Sequence, residues 1–366
     1  MTALVAAGGL LVGAASPASA GSPTRHAGIQ QDLDRLASVD KLPGALASVR
    51  SRDGHTRHYT AGVADLETKR EMPVDAEIRV GSNTKTFTAV AVLQLVGDGK
   101  VDLEAPVDTY LPNLVRGEGI DGRVITVHQL LQHTSGLPNY TDIMGADFFP
   151  FQHTYYQPRE LLDIALAQKA LFAPGAEWRY SNTNYLLAGL IIEKVTGRPL
   201  TEVLTDRVIR RSGLRHTYFP AVGEQGFRGR HPRGYFANKP GEPRRDVTVL
   251  DPSWSWAAGQ LISTNSDLNA FYVALLGGKL LKPEQLRQMR TTIPTHPSKP
   301  GTRHGLGLFS RELSCGGVYW GHGGDIPGFE TRGGIAPNGR AVHVAVTAIP
   351  DSAEAVEAAV DKALCR

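Results

Sequence analysis

The sequence lacks a strong charge imbalance and has no run of basic residues. Lys and Arg total 39 against 36 Asp and Glu, which gives the 366-residue chain a formal net charge of +3. Nucleic-acid-binding domains concentrate basic residues into a patch, so we expect no nucleic-acid partner and favour a small neutral or mixed-charge substrate. Internal repeats are also absent. The 41% hydrophobic content suffices for one large domain or two smaller ones.

Two common hydrolase signatures are missing as well. The motif Gly-x-Ser-x-Gly of the α/β-hydrolases does not occur, and none of the twelve histidines begins the zinc motif His-Glu-x-x-His. His55 and His58 lie in a segment whose pattern predicts the surface of a strand. We therefore expect neither a metal site nor a cofactor.

Apolar runs long enough to span a membrane are lacking too. Residues 1–20 contain one short apolar stretch, Leu4–Gly13, and end in Ala18-Ser19-Ala20, which is typical of a signal-peptide cleavage site. No Lys or Arg precedes Arg25, so the usual basic start of a signal peptide is absent. The pattern predicts a signal peptide over residues 1–20 and a secreted protein in the cell-wall space without a membrane anchor. A leader with no targeting role is the alternative.

Cysteine is scarce, with two residues in the chain. Export to an oxidising compartment favours a disulfide between Cys315 and Cys365. Its loop of about fifty residues would stabilise the fold by roughly 4 kcal/mol in the chain-entropy model. Two unpaired thiols are the alternative.

The two ends of the chain carry strand and helix patterns. Gly28–Val39 has apolar residues at helical spacing, and Ala45–Arg50 and His55–Thr60 predict strands joined at the turn pair Asp53-Gly54. A final amphipathic helix is predicted over Ser352–Leu364. The strands predicted before it are Gly305–Phe309, Gly317–His322, Thr331–Ala336 and Ala341–Ala348.

The middle of the chain has a helical pattern. Residues 83–96 are apolar on nearly all sides, which places this helix in a core. Further helices are predicted at Val127–Leu131, Pro158–Ala167, Asn182–Val195, Leu200–Ile209 and Ser266–Leu276. We predict an α+β fold in which residues 28–100 and 291–366 form an antiparallel sheet flanked by N- and C-terminal helices. Residues 101–290 would form a large all-helical insertion, with the active site in the cleft between the two parts.

The pattern Ser-x-x-Lys occurs twice, and the two copies differ in context. Ser38-Val39-Asp40-Lys41 ends the first helix, which predicts a surface position. Ser82-Asn83-Thr84-Lys85 begins the apolar helix, where a spacing of three places both side chains on one face. A lysine whose pKa is lowered by burial can take the proton of a serine nucleophile. A serine that only caps the helix is the alternative.

Two more motifs follow in the chain. Tyr180-Ser181-Asn182 lies where a polar segment meets an apolar helix, and His322-Gly323-Gly324-Asp325 comes directly after a predicted strand. In this order the three motifs resemble those of the serine β-lactamase and penicillin-binding-protein superfamily. The resemblance is closest to class C β-lactamases and to secreted D-alanyl-D-alanine carboxypeptidases of actinomycetes, and it extends over residues 28 to 365. It implies a β-lactamase/transpeptidase-like fold.

The resemblance also implies roles for the motif residues. Ser82 would be the acylated nucleophile, and Lys85 with Tyr180 would transfer protons, although the sequence does not decide which of them is the base. The backbone N–H groups of Ser82 and Asp325 would form the oxyanion hole. The implied substrate-binding set comprises Asn182, Trp254, His322, Gly323, Gly324 and Asp325. Within it, Asn182 would hold the substrate amide or the lysine, and His322 stands where many relatives have a lysine.

Two departures from the family pattern concern the substrate. Asp325 occupies a place where relatives commonly have Ser, Thr or Ala, and an acid there would repel a substrate carboxylate. Phe309 stands where a carboxypeptidase might use an arginine, and Arg311 would point to the same side two residues on.

We therefore expect a monomeric serine hydrolase that forms an acyl-enzyme on Ser82. A D-alanyl-D-alanine carboxypeptidase or a β-lactamase-type hydrolase is the first expectation, and an esterase or D-amino-acid amidase of the same fold is the alternative. A non-catalytic penicillin-binding or sensor domain is the alternative from another class. Expected partners are a small peptide, β-lactam or ester substrate and cell-wall peptidoglycan.

Overall fold

A computed structural model describes Thr2 and residues 23–145, 147–295 and 300–366. The predicted signal peptide therefore lies outside the described residues, apart from Thr2. Within the described part, no helix is both long and apolar enough to cross a membrane.

The helices of the described residues follow the predicted order. They are α1 (Pro23–Ser38), α2 (Thr84–Gly97), α3 (Val107–Tyr110), α4 (Val127–Gln132), α5 (Tyr140–Met144), α6 (Pro158–Leu166), α7 (Thr183–Thr196), α8 (Leu200–Leu204), α9 (Arg210–Ser212), α10 (Trp256–Gly259), α11 (Asn265–Leu276), α12 (Pro283–Arg290) and α13 (Glu354–Cys365). Short 3₁₀ turns cover Gly81–Asn83, Phe149–Phe151 and Pro252–Trp254, and one π-helical turn covers Thr205–Ile209.

The strands divide into one large sheet and three small ribbons. They are β1 (Gly44–Arg50), β2 (Thr56–Gly62), β3 (Ile78–Arg79), β4 (Arg116–Gly117), β5 (Ile120–Asp121), β6 (Tyr235–Phe236), β7 (Arg245–Asp246), β8 (Ile262–Ser263), β9 (Ile293–Pro294), β10 (Thr302–His304), β11 (Phe309–Glu312), β12 (Val318–Gly321), β13 (Gly324–Ile326), β14 (Phe329–Ile335) and β15 (Ala341–Val346). The ribbons are β3–β8, β4–β5 and β6–β7.

The large sheet joins the two ends of the chain, as predicted. Its antiparallel order is β2-β1-β15-β14-β12-β11-β10-β9, and β13 pairs with β14 beside this path. β1 pairs with β15 in the register Ala45 to Val346, so that the strand nearest the N-terminus lies beside the strand nearest the C-terminus. In this register all residues of β15, and all residues of β1 except Arg50, are buried. Both faces of these two central strands are therefore covered.

Helices cover both faces of the sheet. α1 and α13 contact each other and pack on one face, where Leu33 and Val360 belong to one apolar cluster with Val344 of β15. α11 packs on the other face, and Asn269 donates a hydrogen bond to the carbonyl of Ser48 in β1. α2 lies in the larger core and is buried along nearly its whole length. The predicted α+β fold with an antiparallel sheet and covering helices is therefore confirmed.

The insertion over residues 101–290, predicted to be all helical, also contains the short ribbons β4–β5 and β6–β7 and the strand β8. Two predicted elements differ from the structure as well. The strand predicted over Gly305–Phe309 is wrong, because residues 305–308 connect β10 to β11 and only Phe309 belongs to a strand. These apolar residues are buried in a turn, where Gly307 has a φ of +71°. The helix predicted over Leu200–Ile209 ends at Leu204 and continues as the π-helical turn.

The predicted disulfide between Cys315 and Cys365 is present. It joins the last turn of α13 to the connection between β11 and β12, the strand that leads into the His322 motif.

Candidate active site

Ser82 lies in the 3₁₀ turn that leads into α2, at the floor of the site. It is half-buried, whereas Asn83 and the residues after it are buried. The preceding Gly81 has a φ of +48°, which favours glycine. A Cβ at Gly81 would lie 3.0 Å from both the backbone nitrogen and the carbonyl oxygen of Asp325. The Ser82 turn therefore packs directly against β13.

Lys85 is placed on Ser82 by two hydrogen-bonding contacts. Its Nζ lies 2.9 Å from Ser82 Oγ and donates to the carbonyl oxygen of Ala258 at 2.8 Å. The side chain is fully buried, and this burial holds the pKa of Lys85 well below its usual range. The negative charge of Asp325 acts in the opposite direction. A lowered pKa favours the neutral amine, which can accept the serine proton.

Tyr180 closes the other side of the nucleophile. The centre of its ring lies 4.8 Å from Lys85 Nζ. Burial raises the pKa of Tyr180, although its interaction with the Ser82 side chain acts in the opposite direction, so the phenol keeps its proton at neutral pH. Thus the structure brings together the three residues that the sequence proposed as catalytic. The opposite pKa shifts of Lys85 and Tyr180 favour the lysine as proton acceptor.

A buried histidine positions the Tyr180 motif. His133, in a left-handed conformation at the end of α4, accepts a hydrogen bond from the backbone N–H of Ser181 at 3.2 Å through its Nδ1. The same nitrogen lies 3.0 Å from Asn184 Nδ2, and the His133 and Tyr180 ring centres are 4.4 Å apart. Burial lowers the pKa of His133 well below its usual value, so it is a neutral acceptor.

Asn182 lies on the rim of the site, at the start of α7. Its Nδ2 donates to Thr141 Oγ1 at 3.1 Å, and its backbone N–H donates to Asn139 Oδ1 at 2.9 Å. Lys85 Nζ is held by Ser82 and Ala258. The role of Asn182 in binding the substrate amide therefore stays a prediction.

Trp254 lies farther from the nucleophile, in an aromatic group. Its ring centre lies 6.1 Å from that of Phe148 and 6.3 Å from that of Phe151, and its carbonyl accepts a hydrogen bond from Tyr140 Oη at 2.7 Å. The indole Nε1 is buried and has no hydrogen-bond partner. The residue that reaches the catalytic lysine from this stretch is Ala258.

His322 forms one wall of the site, between β12 and β13. It is buried, and its ring packs on Phe309 with 4.9 Å between ring centres and faces Tyr180 at 6.3 Å. Its Nδ1 is 2.6 Å from the carbonyl oxygen of Gly323. Burial and the neighbouring Lys85 hold the pKa of His322 well below its usual value. His322 therefore offers a neutral hydrogen-bonding edge where many relatives have a lysine.

The two glycines after His322 are required by close packing on opposite sides. A Cβ at Gly324 would lie 2.0 Å from the carbonyl oxygen of Val80, so only glycine lets β13 approach the Ser82 turn. A Cβ at Gly323 would lie 3.1 Å from the side chain of Arg332. This approach brings the backbone nitrogen of Asp325 next to the Ser82 turn, as the predicted oxyanion hole requires.

Arg332 was not predicted and holds the outer side of this strand. Its Nη2 lies 2.8 Å from Asp325 Oδ1 and 3.2 Å from Glu330 Oε2, and its Nη1 donates to the carbonyl of Thr331 at 2.8 Å. Its Nε lies 3.6 Å from Glu357 of α13. The only sequence signal for this arginine was Gly323, whose missing side chain leaves room for a large neighbour.

Arg311, considered earlier as a possible carboxylate ligand, is also paired. It forms an ion pair with Glu357. Burial disfavours the charged guanidinium, but Tyr319 and Glu357 together raise the pKa of Arg311 above its usual value. Arg311, Phe309 and His322 line one hollow, as strand alternation predicted for the first two. This hollow has a volume of about 10 Å³, which is room for roughly one water molecule.

No group of three or more His, Cys, Asp or Glu side chains within the described ranges is arranged to hold a metal ion.

Sequence comparison identifies the class. The sequence model of the beta-lactamase family matches residues 30–364, and the chain belongs to this family. The protein flp of Staphylococcus aureus is 29% identical over 194 residues, which cover 52% of this chain and 38% of that protein. The putative penicillin-binding protein PbpX of Bacillus subtilis is 28% identical over 286 residues, or 75% of this chain and 63% of that protein. The chain thus spans less than two thirds of these relatives.

Solved structures match nearly the whole chain. A D-stereospecific amidohydrolase from Streptomyces sp. is 40% identical with a TM-score of 0.85, covering 92% of this chain and 98% of that one. The D-amino acid amidase from Ochrobactrum anthropi SV3, in complex with L-phenylalanine amide, is 28% identical with a TM-score of 0.82, covering 93% and 97%. The penicillin binding protein from Bacillus halodurans, at 22% identity and a TM-score of 0.74, shares the fold. The fold is thus the β-lactamase/transpeptidase-like fold, and the chain belongs to the serine hydrolase superfamily that has this fold.

Proposed function

We propose that this protein hydrolyses amides or short peptides of D-amino acids through an acyl-enzyme on Ser82. One observation supports the chemistry most directly: the buried Lys85 Nζ lies 2.9 Å from Ser82 Oγ and has a pKa well below its usual range. The similarity to the Streptomyces amidohydrolase supports the class of substrate.

The proposed reaction has two halves. Ser82 Oγ attacks the substrate carbonyl carbon and its proton passes to Lys85 Nζ, while the N–H groups of Ser82 and Asp325 stabilise the negative oxygen. The proton then reaches the leaving nitrogen through the hydroxyl of Tyr180, and the C–N bond breaks. In the second half, water attacks the ester carbonyl, gives its proton to the same pair, and releases the acid with Ser82 regenerated.

The D-alanyl-D-alanine carboxypeptidase and β-lactamase activities stay as the second candidate. A carboxypeptidase or a penicillin-binding enzyme must accommodate a carboxylate near the scissile bond. Arg332 and Arg311 are the nearest guanidinium groups on the His322 side, and both are paired with acids. Because His322 is also neutral, these contacts favour a leaving group without a carboxylate.

We also propose that the protein is exported. The Cys315–Cys365 disulfide is of the kind that persists in oxidising compartments. Cell fractionation of the producing strain, followed by N-terminal sequencing of the extracellular protein, tests this; a mature chain that still begins at Met1 would contradict it.

The activity is tested with the two enantiomers of phenylalanine amide, a D-alanyl-D-alanine peptide and a chromogenic cephalosporin. We expect release of ammonia from the D-amide, much slower release from the L-amide, and a mass increase on the wild-type protein that Ser82→Ala lacks. Ser38→Ala is the matched control, because it alters the other Ser-x-x-Lys serine. An adduct that persists in Ser82→Ala, or equal rates for both enantiomers, would overturn the proposal.

A further inference from the structure

Asp325 stands out on the strand that lines the site. Between Gly321 and Ala336, it is the only residue whose side chain is exposed, with 53% of the side-chain surface accessible. Its backbone nitrogen lies beside the Ser82 turn. The charge of Asp325 acts on both Lys85 and Tyr180, which places it within electrostatic range of the two catalytic side chains.

The Asp325 carboxylate is held in one orientation from behind. Arg332 Nη2 contacts Asp325 Oδ1 at 2.8 Å, and only 10% of the Arg332 side chain is accessible. Glu330, directly opposite Asp325 in the β13–β14 register, also lies against Arg332, with 3.2 Å between Glu330 Oε2 and Arg332 Nη2. The buried Arg332 therefore keeps the Asp325 carboxylate at the edge of the cleft. Without this contact the carboxylate would turn towards solvent.

The charges nearby favour a cationic ligand over an anionic one. Asp325 and Glu357 contact Arg332, and Glu357 also pairs with Arg311. Glu330 contacts Arg332 as well, but burial raises the pKa of Glu330 to about 8 and so favours its uncharged form. Both guanidinium groups are thus oriented towards protein carboxylates, and the exposed side of the cluster presents a carboxylate. A substrate carboxylate at that position would meet like charge, whereas an ammonium group would meet an oriented acceptor.

We propose that Asp325 is a specificity-determining residue that recognises the free α-ammonium group of the D-amino acid residue being acylated. This inference rests on the proposed function and deepens it. The α-nitrogen is two bonds from the carbonyl carbon that Ser82 attacks, and the oxyanion from that carbon sits on the Asp325 N–H. The nitrogen therefore reaches the neighbourhood of the Asp325 side chain without any change in the protein. The preferred substrates are unblocked D-amino acid amides or peptides with a free N-terminal D-residue.

The test compares D-phenylalanine amide with N-acetyl-D-phenylalanine amide on the wild type and on Asp325→Asn. The substitution keeps the backbone N–H and the side-chain shape but removes the charge. Since Asp325 is half exposed, we expect the preference in kcat/KM for the unblocked amide to fall about 2- to 5-fold, mainly through KM. Glu312→Gln is the matched control, because it removes an exposed acid from β11 and should leave the preference unchanged.

A salt titration of the wild type gives a second measurement that needs no variant. The preference for the unblocked amide should decrease between 0.05 and 0.5 M NaCl, roughly the range over which exposed charges become screened. An unchanged preference in Asp325→Asn, or a wild type that favours the acetylated amide, would overturn the role of Asp325 while the acyl-enzyme on Ser82 still forms. If neither amide acylates Ser82, the proposed function fails and this inference fails with it.

Discussion

The Nζ atom of Lys85 donates a hydrogen bond to the carbonyl oxygen of Ala258, 173 residues away in the chain, at 2.8 Å. This contact fixes the direction of the amine, because the same nitrogen lies 2.9 Å from Ser82 Oγ. A neutral amine can donate one hydrogen to the carbonyl and still present its lone pair to the serine hydroxyl. The carbonyl of Ala258 therefore orients the amine of the buried Lys85 so that it can act as a base towards Ser82.

Replacing Lys85 by arginine should abolish the base without removing the side-chain bulk. A guanidinium keeps its proton at any working pH, so it cannot accept the serine proton. We expect kcat/KM for the D-amide to fall about 10²- to 10⁴-fold, with no acyl-enzyme detectable by intact-mass spectrometry. Lys100→Arg, at an exposed position after α2, is the control. Activity within a few-fold of the wild type in Lys85→Arg would exclude Lys85 as the base.

Removing the hydroxyl of Tyr180 should slow proton transfer while preserving the wall of the site. Tyr180→Phe keeps the ring over Lys85 but loses the hydroxyl group that interacts with Ser82. We expect kcat to fall about 10²-fold or more, with a smaller loss for an activated ester, whose leaving group needs no proton. The exposed Tyr155 provides the control Tyr155→Phe. Equal losses for amide and ester would indicate that Tyr180 does not protonate the leaving group.

A methyl group at Gly324 should displace the proposed oxyanion hole. The Cβ of Gly324→Ala would lie 2.0 Å from the carbonyl oxygen of Val80, so β13 must move away from the Ser82 turn. A shift of about 1 Å in catalytic geometry costs on the order of 10²-fold in rate. We expect that loss in kcat, and none in Gly226→Ala, where no atom lies within 4 Å of the added carbon. Normal turnover by Gly324→Ala would refute the assignment of this strand.

Buried neutral histidines should make the fold sensitive to acid. Burial lowers the pKa of His304 and of His343 to about 3, against 6.5 for a free histidine. Between pH 6.5 and 3 the unfolded chain binds protons that the folded protein does not, so the free energy of unfolding decreases as pH falls. The slope is up to about 1.4 kcal/mol per pH unit for each histidine.

Urea denaturation of His343→Gln at several pH values tests this linkage. The amide of glutamine can still hydrogen-bond with Asn269, which contacts His343 Nδ1 at 2.8 Å. We expect the dependence of unfolding free energy on pH to become shallower between pH 6.5 and 4, whatever the change at neutral pH. The exposed His55 supplies the control His55→Gln. An unaltered slope would mean that His343 is not neutral in the folded protein.

Local patterns predicted much of the architecture because they depend on neighbouring residues. The all-round apolar character of residues 83–96 identified a core helix, and Asp53-Gly54 identified a hairpin turn. The prediction failed at Gly305–Phe309, because an apolar alternation cannot tell a buried turn from a strand. The order of three motifs predicted the residues that meet around Ser82, although not the distances between them.

By itself, the sequence determined the family, the order of the catalytic motifs and the candidate nucleophile, since these depend on residue types at short spacings along the chain. Only the tertiary structure decided the environment that those residues meet. Ala258 reaches Lys85 from 173 residues away, and Arg332 holds Asp325 at the cleft edge across the β13–β14 pair. Burial and charge pairing arise from those contacts, and they set the pKa of the lysine and the sign of the charge that a substrate encounters.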